Sequence, residues 1–346
     1  MQAAYIAGHG GNEVVKVGDF PDPVRGADEV LIRLHAATVN RVDLYMRDSG
    51  AGITHRLPQV MGLDGAGTAI AIENNEKRIC VGQRVIVHPL IFCGRCEFCV
   101  AGDQVLCTSA SYLGEHRDGV FAEFVSVPAR NVFPMPEGWN FVQSAALGVN
   151  FLTAWRMVFS KAEMKPWETA LIFGIGGGVS LAALQLIKAM GGQVIVTSRD
   201  EAKLARAADL GADYGINGER EDVSRKVLEI TDKRGVDVVI ENVGEAVWSH
   251  ALRSLVRGGR LVTCGATSGD QPGADLRRIF IRQLRILGST LGTLGEFHDL
   301  LQFVDHHQIK PVIDSTYDLS DVHSALDRLE SGRQFGKVAI DICGLP

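Results

Sequence analysis

The 346-residue sequence has little proline and few aromatic residues, with 11 prolines, 4 tryptophans and 7% aromatic residues overall. It contains no internal repeat and no low-complexity segment, and its 39 glycines are not matched by the proline content of a collagen-like or disordered chain. Seven cysteines are too few for a disulfide-built scaffold of this length. Hydrophobic residues make up 46% and charged residues 22%, so we expect a globular protein of two or three domains.

An excess of basic residues is also lacking. Lys and Arg total 35 against 41 for Asp and Glu, and the resulting net charge of −6 gives no general attraction to nucleic acid or anionic membranes. The first residues have neither the basic nor the apolar region of a signal peptide. The 19-residue uncharged run Thr169–Ile187 is long enough to cross a bilayer, but the glycines in its middle indicate a strand, a turn and a helix. We therefore expect a cytoplasmic protein without a membrane span.

Four of the seven cysteines lie within 15 residues in the pattern C-x2-C-x2-C-x7-C: Cys93, Cys96, Cys99 and Cys107. Disulfides are not expected in a chain without an export signal. Four thiolates at this spacing can close a tetrahedron around zinc, so we predict one structural zinc ion per chain. An iron–sulfur cluster, whose ligand runs begin with similar spacing, and a single disulfide are the alternatives.

Hydrophobic periodicity changes along the chain. Residues 1–130 contain short β-rich runs separated by Gly, Pro and Asp turns, which indicates a mainly β domain. From about residue 144, short apolar runs such as Ala170–Phe173 alternate with amphipathic segments such as Val179–Met190. This alternation over about 120 residues predicts an α/β fold with a doubly wound parallel sheet. The tail from about residue 293 returns to short mixed elements and ends in a strand-like run, Lys337–Cys343.

A glycine-rich turn joins the first predicted strand of this region to its helix. It contains four glycines followed by a valine: Gly174, Gly176, Gly177, Gly178 and Val179. In such a turn the backbone can approach a pyrophosphate, and the start of the helix presents N–H groups to it. A valine stands where a strict G-x-G-x-x-G motif has its last glycine, and a tight turn without a ligand is the alternative.

The end of the next predicted strand bears on the choice of dinucleotide. NAD sites place an acid about 20 residues after the glycine turn, where this chain has Ser198 and then Arg199, with Lys203 one helical turn later. A hydroxyl and a guanidinium suit a 2′-phosphate, so we predict NADPH as the cofactor. Alternatively, Arg199 is a solvated residue. We expect Asp200 to be the N-cap of the following helix, and in a register shifted by one residue it would instead be a ribose-binding acid that favours NADH.

Taken together, these motifs resemble the medium-chain dehydrogenase/reductase superfamily of zinc-type alcohol dehydrogenases and quinone oxidoreductases, over essentially the whole chain. Further matching stretches are 62–67, 82–85, 113–124 and Gly336-Lys337. The resemblance implies a GroES-like catalytic domain at residues 1–130 and 293–346, with the zinc lobe at 93–107. It also implies a Rossmann domain at residues 131–292, and a cofactor and substrate that meet in the cleft between the domains.

The chain departs from the zinc alcohol dehydrogenases at the catalytic metal. The three positions that hold Cys, His and Cys ligands in those enzymes are Asn40, Leu63 and Val149 here. Leucine and valine have no metal-ligating atom, so we predict that the catalytic zinc is absent while the structural zinc is kept. Asp64 and His88 are the alternative donors for a metal at this site.

The segment Asn40–Arg47 instead resembles the N-x-V-D-x-Y-x-R stretch of quinone and enone reductases. This resemblance implies hydride delivery from NADPH to a quinone or an activated alkene, with hydrogen-bond donors stabilising the developing enolate. Tyr45 and Asn40 are the predicted donors, and Asp43 is a structural acceptor or a base. The other residues expected to bind the cofactor are Arg41 at the pyrophosphate, Thr153 at the nicotinamide, Asn242 and Gly265.

The sequence therefore predicts an NADPH-dependent quinone or enone reductase that carries a structural zinc but no catalytic zinc. One alternative is an alcohol dehydrogenase that acts on simple alcohols and aldehydes. A second is an NADPH-binding protein with a non-enzymatic or RNA-binding role, although no basic, aromatic-rich stripe is present. The expected partners are a small-molecule substrate and, by resemblance, further copies of the chain in a homodimer or homotetramer.

Overall fold

A computed structural model describes residues 1–73 and 78–343, within which the chain forms eighteen β-strands and eleven α-helices. The strands are β1 (Gln2–Ile6), β2 (Val15–Asp19), β3 (Glu29–Val39), β4 (Gln59–Val60), β5 (Asp64–Ala71), β6 (Arg84–Val87), β7 (Leu90–Ile91), β8 (Ser111–Tyr112), β9 (Phe124–Pro128), β10 (Val132–Pro134), β11 (Thr169–Ile172), β12 (Gln193–Ser198), β13 (Tyr214–Asn217), β14 (Val236–Glu241), β15 (Leu255–Thr263), β16 (Arg285–Gly288), β17 (Ile313–Asp318) and β18 (Lys337–Asp341). The helices are α1 (Arg41–Ser49), α2 (Glu97–Val100), α3 (Phe141–Ala145), α4 (Leu152–Trp155), α5 (Gly178–Ala189), α6 (Glu201–Asp209), α7 (Val223–Ile230), α8 (Glu245–Ser254), α9 (Leu276–Arg282), α10 (Leu294–His306) and α11 (Val322–Glu330).

The chain divides into two compact units. The first comprises Met1–Val149, Thr293–His306 and Lys310–Pro346, and the second comprises Asn150–Gly292 and His307–Ile309. Residues 131–149, which we expected in the Rossmann domain, make their contacts within the first unit, since β10 pairs with β6 and α3 packs on β3. The chain returns to the first unit at Thr293 and, after His307–Ile309, again at Lys310.

The first unit is built mainly from antiparallel strands. Its largest sheet has the order β10-β6-β5-β3-β18-β17, with β9 also paired to β3, and a smaller sheet has the order β2-β1-β4. The C-terminal β18 pairs antiparallel with the end of the long strand β3, so the last residues of the chain complete a sheet begun by its first 130. Alternating apolar side chains of these strands, among them Ile32, Leu34 and Val338, form the buried core.

The second unit is a parallel sheet with helices between its strands. The strand order is β13-β12-β11-β14-β15-β16, and every pairing is parallel. If β11 to β16 are numbered 1 to 6, this order is 3-2-1-4-5-6, which is the strand order of a dinucleotide-binding Rossmann sheet. β14 is buried along its whole length, as expected for a central strand covered on both faces. The predicted fold class, a GroES-like mainly β domain with a doubly wound parallel sheet, is confirmed.

A membrane span requires a helix of sufficient length and hydropathy. Among residues 1–73 and 78–343, no helix has both the length and the apolar character needed to cross a bilayer. The run Thr169–Ile187 is divided into β11, a turn and α5, as its glycines predicted.

The glycine motif at residues 62–67 allows a close approach of two strands, which can be tested by substitution. A Cβ atom at Gly67 would lie 2.1 Å from the carbonyl oxygen of Arg33 on β3, whereas nothing lies within 4 Å of a Cβ atom at Gly18 on β2. We expect Gly67→Ala to lower the free energy of unfolding by about 1–3 kcal/mol or more, because strand backbones must move apart. Gly18→Ala, the matched control, should change it by less than about 0.5 kcal/mol. Urea unfolding measures both, and equal midpoints would contradict this account of the motif.

Candidate active site

The glycine-rich turn lies where the order of the parallel strands reverses. β11 has β12 on one side and β14 on the other, so the chain leaves this point in opposite directions across the sheet. Gly177 is the N-cap of α5, and Gly174 and Gly176 have φ angles of 67° and 120°, which residues with side chains rarely adopt. The start of α5 therefore presents backbone N–H groups at the switch point, where dinucleotide phosphates bind in sheets of this kind.

Two further strand ends meet this turn. Asn242, directly after β14, donates its Nδ2 to Ser180 Oγ at 2.9 Å, and Ser180 Oγ donates to the carbonyl oxygen of Phe173 at 2.9 Å. Gly265 follows β15, and a Cβ atom at this position would lie 3.0 Å from the carbonyl oxygen of Asn242. The structure thus brings together the predicted cofactor residues of the strand ends: Gly174, Gly176, Gly177, Gly178, Val179, Asn242 and Gly265.

The end of β12 has the register in which Asp200 caps a helix. Asp200 Oδ1 accepts a hydrogen bond from Ala202 N at 2.8 Å, so its carboxylate is used at the N-terminus of α6. The N–H of Asp200 donates to Ser198 Oγ at 3.0 Å, which leaves the hydroxyl hydrogen of Ser198 free to donate. Arg199 is exposed, and its guanidinium makes no hydrogen bond or ion pair with the described residues. Lys203 lies in the first turn of α6.

Arg41 and Thr153 lie in different units. Arg41 is the first residue of α1 in the first unit, and Thr153 is buried in α4 of the second. α4 lies between two π-helical turns, Leu147–Phe151 and Arg156–Lys161. Because π-helical turns are uncommon and frequently occur at functional sites, they mark this segment for attention. The cofactor contacts expected of Arg41 and Thr153 stay predictions.

Asn40 lies at the start of α1 and is only 3% exposed. Its backbone N–H donates to Asp43 Oδ2 at 2.7 Å, and its Nδ2 donates to Asp64 Oδ2 at 2.9 Å and to the carbonyl oxygen of Thr38 at 3.3 Å. Both amide hydrogens are therefore already donated within the protein. A substrate oxygen would have to replace one of these bonds before Asn40 could act as the donor that we predicted.

Tyr45 offers a more accessible donor one turn into α1. Its side chain is 38% exposed, and its hydroxyl makes no hydrogen bond with any residue in the described ranges. Partial burial raises the pKa of this hydroxyl above its ordinary value, so it keeps its proton at neutral pH. Of the two predicted donors, Tyr45 is the one with a hydrogen to give.

Lys337 is a functional candidate that the sequence reasoning missed. Its ammonium is 4% exposed and donates to three acceptors: Val39 O at 3.0 Å, Asn40 Oδ1 at 2.7 Å and Asp64 Oδ2 at 3.2 Å. The sequence marked Lys337 only as part of a closing Gly-Lys pair, because its partners lie 273 and more residues away along the chain. Burial lowers the pKa of Lys337, and the nearby Asp64 carboxylate opposes that effect.

Two carboxyl groups of the first unit have raised pKa values. Burial raises the pKa of Asp43 to about 7 and that of Glu115 to about 7. The charges of Asp64 and Glu115 raise the pKa of Asp43 further, whereas Lys337 lowers it. Asp43 accepts the Asn40 N–H through Oδ2, as a structural acceptor would, while its Oδ1 has no partner among the described residues. A role for Asp43 as a base stays a prediction.

The positions of the catalytic zinc in related enzymes hold no metal-binding set in this chain. Leu63 and Val149 offer no ligand, and Asp64 is bound by Lys337. His88 is buried, and its Nδ1 accepts from Leu90 N at 3.3 Å. Within residues 1–73 and 78–343, the only group of His, Cys, Asp and Glu side chains close enough to share an ion is the four-cysteine cluster.

That cluster has the geometry of a closed tetrahedral site. The Sγ atoms of Cys93, Cys96, Cys99 and Cys107 all lie within 4.8 Å of one another. Cys93 Sγ and Cys99 Sγ are 4.0 Å apart, near the ~3.8 Å that bonds of about 2.3 Å to a shared zinc would produce. The N–H groups of Arg95 and Cys96 point at Cys93 Sγ, at 3.5 and 3.3 Å. None of the seven cysteines is paired in a disulfide, so the alternative of a single disulfide is wrong.

Comparisons with known proteins agree with this arrangement. Residues 26–137 match the alcohol dehydrogenase GroES-like domain family, and residues 178–306 match the zinc-binding dehydrogenase family. An NAD-dependent alcohol dehydrogenase of Saccharolobus solfataricus is 32% identical over 89% of this chain and 91% of its own length.

Solved structures give the same picture. A crystal structure of an NAD-dependent alcohol dehydrogenase superposes with a TM-score of 0.95 at 37% identity, covering 99% of this chain and 100% of that one. The alcohol dehydrogenase of Aeropyrum pernix superposes with a TM-score of 0.90 at 28% identity, with 99% and 100% covered. On these matches and on the two folds described above, the chain is an oxidoreductase that belongs to the zinc-type medium-chain dehydrogenase/reductase superfamily.

Proposed function

We propose that this chain transfers a hydride between a nicotinamide cofactor and a small oxygen-bearing substrate, without a catalytic metal. The observation that carries this proposal is a combination of two features. A glycine turn suited to a dinucleotide lies at the switch point of the parallel sheet. The three catalytic zinc positions of related enzymes are meanwhile occupied by Asn40, Leu63 and Val149.

The first candidate substrate is an alcohol and its carbonyl product. Relatives from Saccharolobus solfataricus, Sulfurisphaera tokodaii and Geobacillus stearothermophilus, matched over 89%, 93% and 95% of this chain, are named alcohol dehydrogenases, the first two of them NAD-dependent. These names favour the alternative that the sequence analysis ranked second, an alcohol dehydrogenase, over a quinone or enone reductase.

A quinone or an activated alkene is the second candidate, favoured by the donor set of the site. Reduction of a simple carbonyl places a full negative charge on one oxygen and normally needs a Lewis acid or a strong proton donor. A conjugated acceptor spreads this charge, so the phenolic hydroxyl of Tyr45 would suffice. The chain offers that hydroxyl, while Leu63 and Val149 offer no metal ligand.

The residues of this chain supply positioning and electrostatics. A bound nicotinamide cofactor supplies or accepts the hydride. The glycine turn and the start of α5 hold the cofactor phosphates, with Asn242 and Gly265 beside them. Tyr45 donates its hydrogen to the substrate oxygen as negative charge develops there, and it takes a proton back from the bulk solvent that it faces.

NADPH is the proposed reduced cofactor, against the NAD of several relatives' names. Ser198 has a free hydroxyl hydrogen, Arg199 has an uncommitted guanidinium among the described residues, and Asp200 is occupied at the start of α6. No carboxylate stands at the position of Ser198 to repel a 2′-phosphate. These features support the NADPH preference that the sequence predicts.

A zinc ion held by Cys93, Cys96, Cys99 and Cys107 is proposed as a structural element. Four thiolates fill all positions of a tetrahedral zinc, which leaves none open for substrate. The same donor type also suits an iron–sulfur cluster, which metal analysis distinguishes.

A homo-oligomer is the proposed assembly. β16 is an edge strand of the six-stranded sheet, so one side of it has no partner strand among residues 1–73 and 78–343. Next to it in sequence, Leu276 and Phe280 of α9 are exposed. An open strand edge with apolar side chains nearby supports pairing between copies of this chain.

The four-cysteine cluster predicts one zinc ion per chain. Metal analysis after dialysis should return close to one zinc and no iron. Cys96→Ser should lower the melting temperature far more than it changes the turnover number, because closed zinc sites contribute to folding. Cys80→Ser is the matched control, since Cys80 is exposed and lies outside the cluster. Two zinc ions per chain would contradict the metal-free reaction.

The geometry at the end of β12 predicts selectivity for NADPH. A charge-assisted hydrogen bond contributes roughly 1.5–3 kcal/mol, and about 1.4 kcal/mol is tenfold in affinity. Arg199→Ala should therefore raise the KM for NADPH about tenfold to a hundredfold and leave that for NADH nearly unchanged. Ser198→Asp should shift the preference toward NADH.

Arg253→Ala, an exposed arginine of α8, is the control for the loss of one positive charge. Steady-state kinetics with both cofactors measures these effects. Equal or better use of NADH by the wild type would overturn the assignment in favour of the cofactor named for the relatives.

The proposed role of Tyr45 is tested together with the substrate class. The wild type is assayed against alcohols, aldehydes, quinones, enones and acryloyl thioesters, and one class should be turned over well above the others. On that class, Tyr45→Phe should lower kcat on the order of a hundredfold, as loss of an oxyanion donor does, and leave cofactor binding intact. Tyr214→Phe, half exposed on β13 in the other unit, is the matched control. Full activity of Tyr45→Phe would show that Tyr45 only packs in the site and donates no hydrogen to the substrate.

A further inference from the structure

The buried ammonium of Lys337 helps to hold the Asn40 amide in one orientation. An ammonium group only donates, so the Asn40 atom at 2.7 Å from Nζ has to be the carbonyl oxygen Oδ1. The Nδ2 group is then directed to Asp64 Oδ2 at 2.9 Å and to Thr38 O at 3.3 Å. Asp64 Oδ2 and Thr38 O can only accept, so they require Nδ2 on their side of the amide, and Lys337 is the donor that holds Oδ1 on the other side.

Asp64 is the second partner of the ammonium and is completely buried. Its Oδ2 accepts three hydrogen bonds, from Thr38 Oγ1 at 2.8 Å, from Asn40 Nδ2 and from Lys337 Nζ. A buried carboxylate costs free energy unless it is paired and hydrogen-bonded, and Lys337 supplies the pairing charge. The other oxygen, Oδ1, lies against Gly148, where a Cβ atom would approach it to 2.5 Å.

This network occupies the neighbourhood that the catalytic zinc occupies in related enzymes. Position 40 belongs to the network itself, Asp64 directly follows Leu63, and Gly148 directly precedes Val149. Of the three segments that a metal ion would join, the ammonium ion and the carboxylate join those of Asn40 and Asp64, while Gly148 packs closely against Asp64 Oδ1 without a hydrogen bond.

Asn40 also connects this network to the first turn of α1. Asn40 is the N-cap residue of this helix, and its backbone N–H is bound by Asp43 of the first turn at 2.7 Å. Arg41 and Tyr45, the proposed cofactor and substrate contacts, project from this helix. A change at Lys337 is therefore transmitted through Asn40 to the residues proposed to act.

We propose that Lys337 is a positioning residue of the hydride-transfer site, which orients Asn40 and the start of α1 where zinc-dependent relatives use a metal ion. This inference rests on the proposed function. It adds a residue that touches neither cofactor nor substrate but determines the placement of Tyr45 and Arg41. Stability alone does not account for the pair, because exchanging a buried ion pair for neutral side chains is often neutral or stabilising.

The test separates stability from turnover. Lys337→Met leaves Asp64 buried without its cation and should lower both the melting temperature and kcat. Lys337→Met/Asp64→Asn removes both charges and should recover most of the melting temperature. Its kcat should stay about tenfold to a hundredfold below wild type, because small misplacements of reacting groups carry costs of that size. The KM for the cofactor should rise as well, through Arg41.

Asn40→Ala provides a second route that keeps the ion pair. It should reproduce the loss in kcat with a smaller loss of stability, since Lys337 acts through the Asn40 amide. Lys188→Met/Asp213→Asn is the matched control, because this half-buried pair at 2.8 Å joins α5 to the residue before β13. Its kcat should equal that of the wild type.

Two outcomes overturn the inference in distinguishable ways. Wild-type kcat in the Lys337→Met/Asp64→Asn variant or in Asn40→Ala would show that Lys337 only compensates the buried carboxylate. Absence of turnover in the wild type, with every substrate class and both cofactors, would instead overturn the proposed function and this inference with it.

Discussion

A buried ammonium ion must find acceptors for its three hydrogens, and Lys337 finds them on segments of the first unit that are far apart in the sequence. The acceptors come from the end of β3 and the start of β5, while the lysine itself lies on β18. Because an unpaired buried charge is costly, these three strand segments are constrained to meet at one point. β18 follows the whole second unit in sequence, so this contact also joins the end of the chain to its beginning.

The chemistry of the site follows from what surrounds this point. In a zinc-dependent relative the metal would polarise the substrate oxygen directly. Here the Lys337 ammonium and the Asn40 amide both donate their hydrogens to acceptors within the protein. The accessible hydrogen belongs to Tyr45, on the helix that begins at this network. A phenolic hydroxyl is a weaker electrophile than a metal ion and suits substrates that spread the developing negative charge. The names of the relatives point instead to alcohols, so the donor set and the relatives favour different substrate classes.

Local patterns were sufficient for some parts of the site. The glycines at 174 and 176 lie in the predicted strand–turn–helix context, and Asp200 caps α6 as expected. The four cysteines converge because short spacing leaves them little freedom to do otherwise. Asn40 was less predictable: its residue type suggested a donor, but its amide hydrogens go to Thr38 and Asp64, and no local pattern specifies that.

The sequence by itself determined the class of fold, the glycine turn and the cysteine cluster, because each depends on periodicity or on spacings of a few residues. It also determined that Leu63 and Val149 offer no metal ligand, since this follows from side-chain chemistry alone. Only the tertiary structure decided the partners of Lys337 and the raised pKa of Asp43. Both depend on burial and on groups that are far apart in the sequence. The partner of a charged side chain and the shift of its pKa are therefore set only when folding removes the surrounding water.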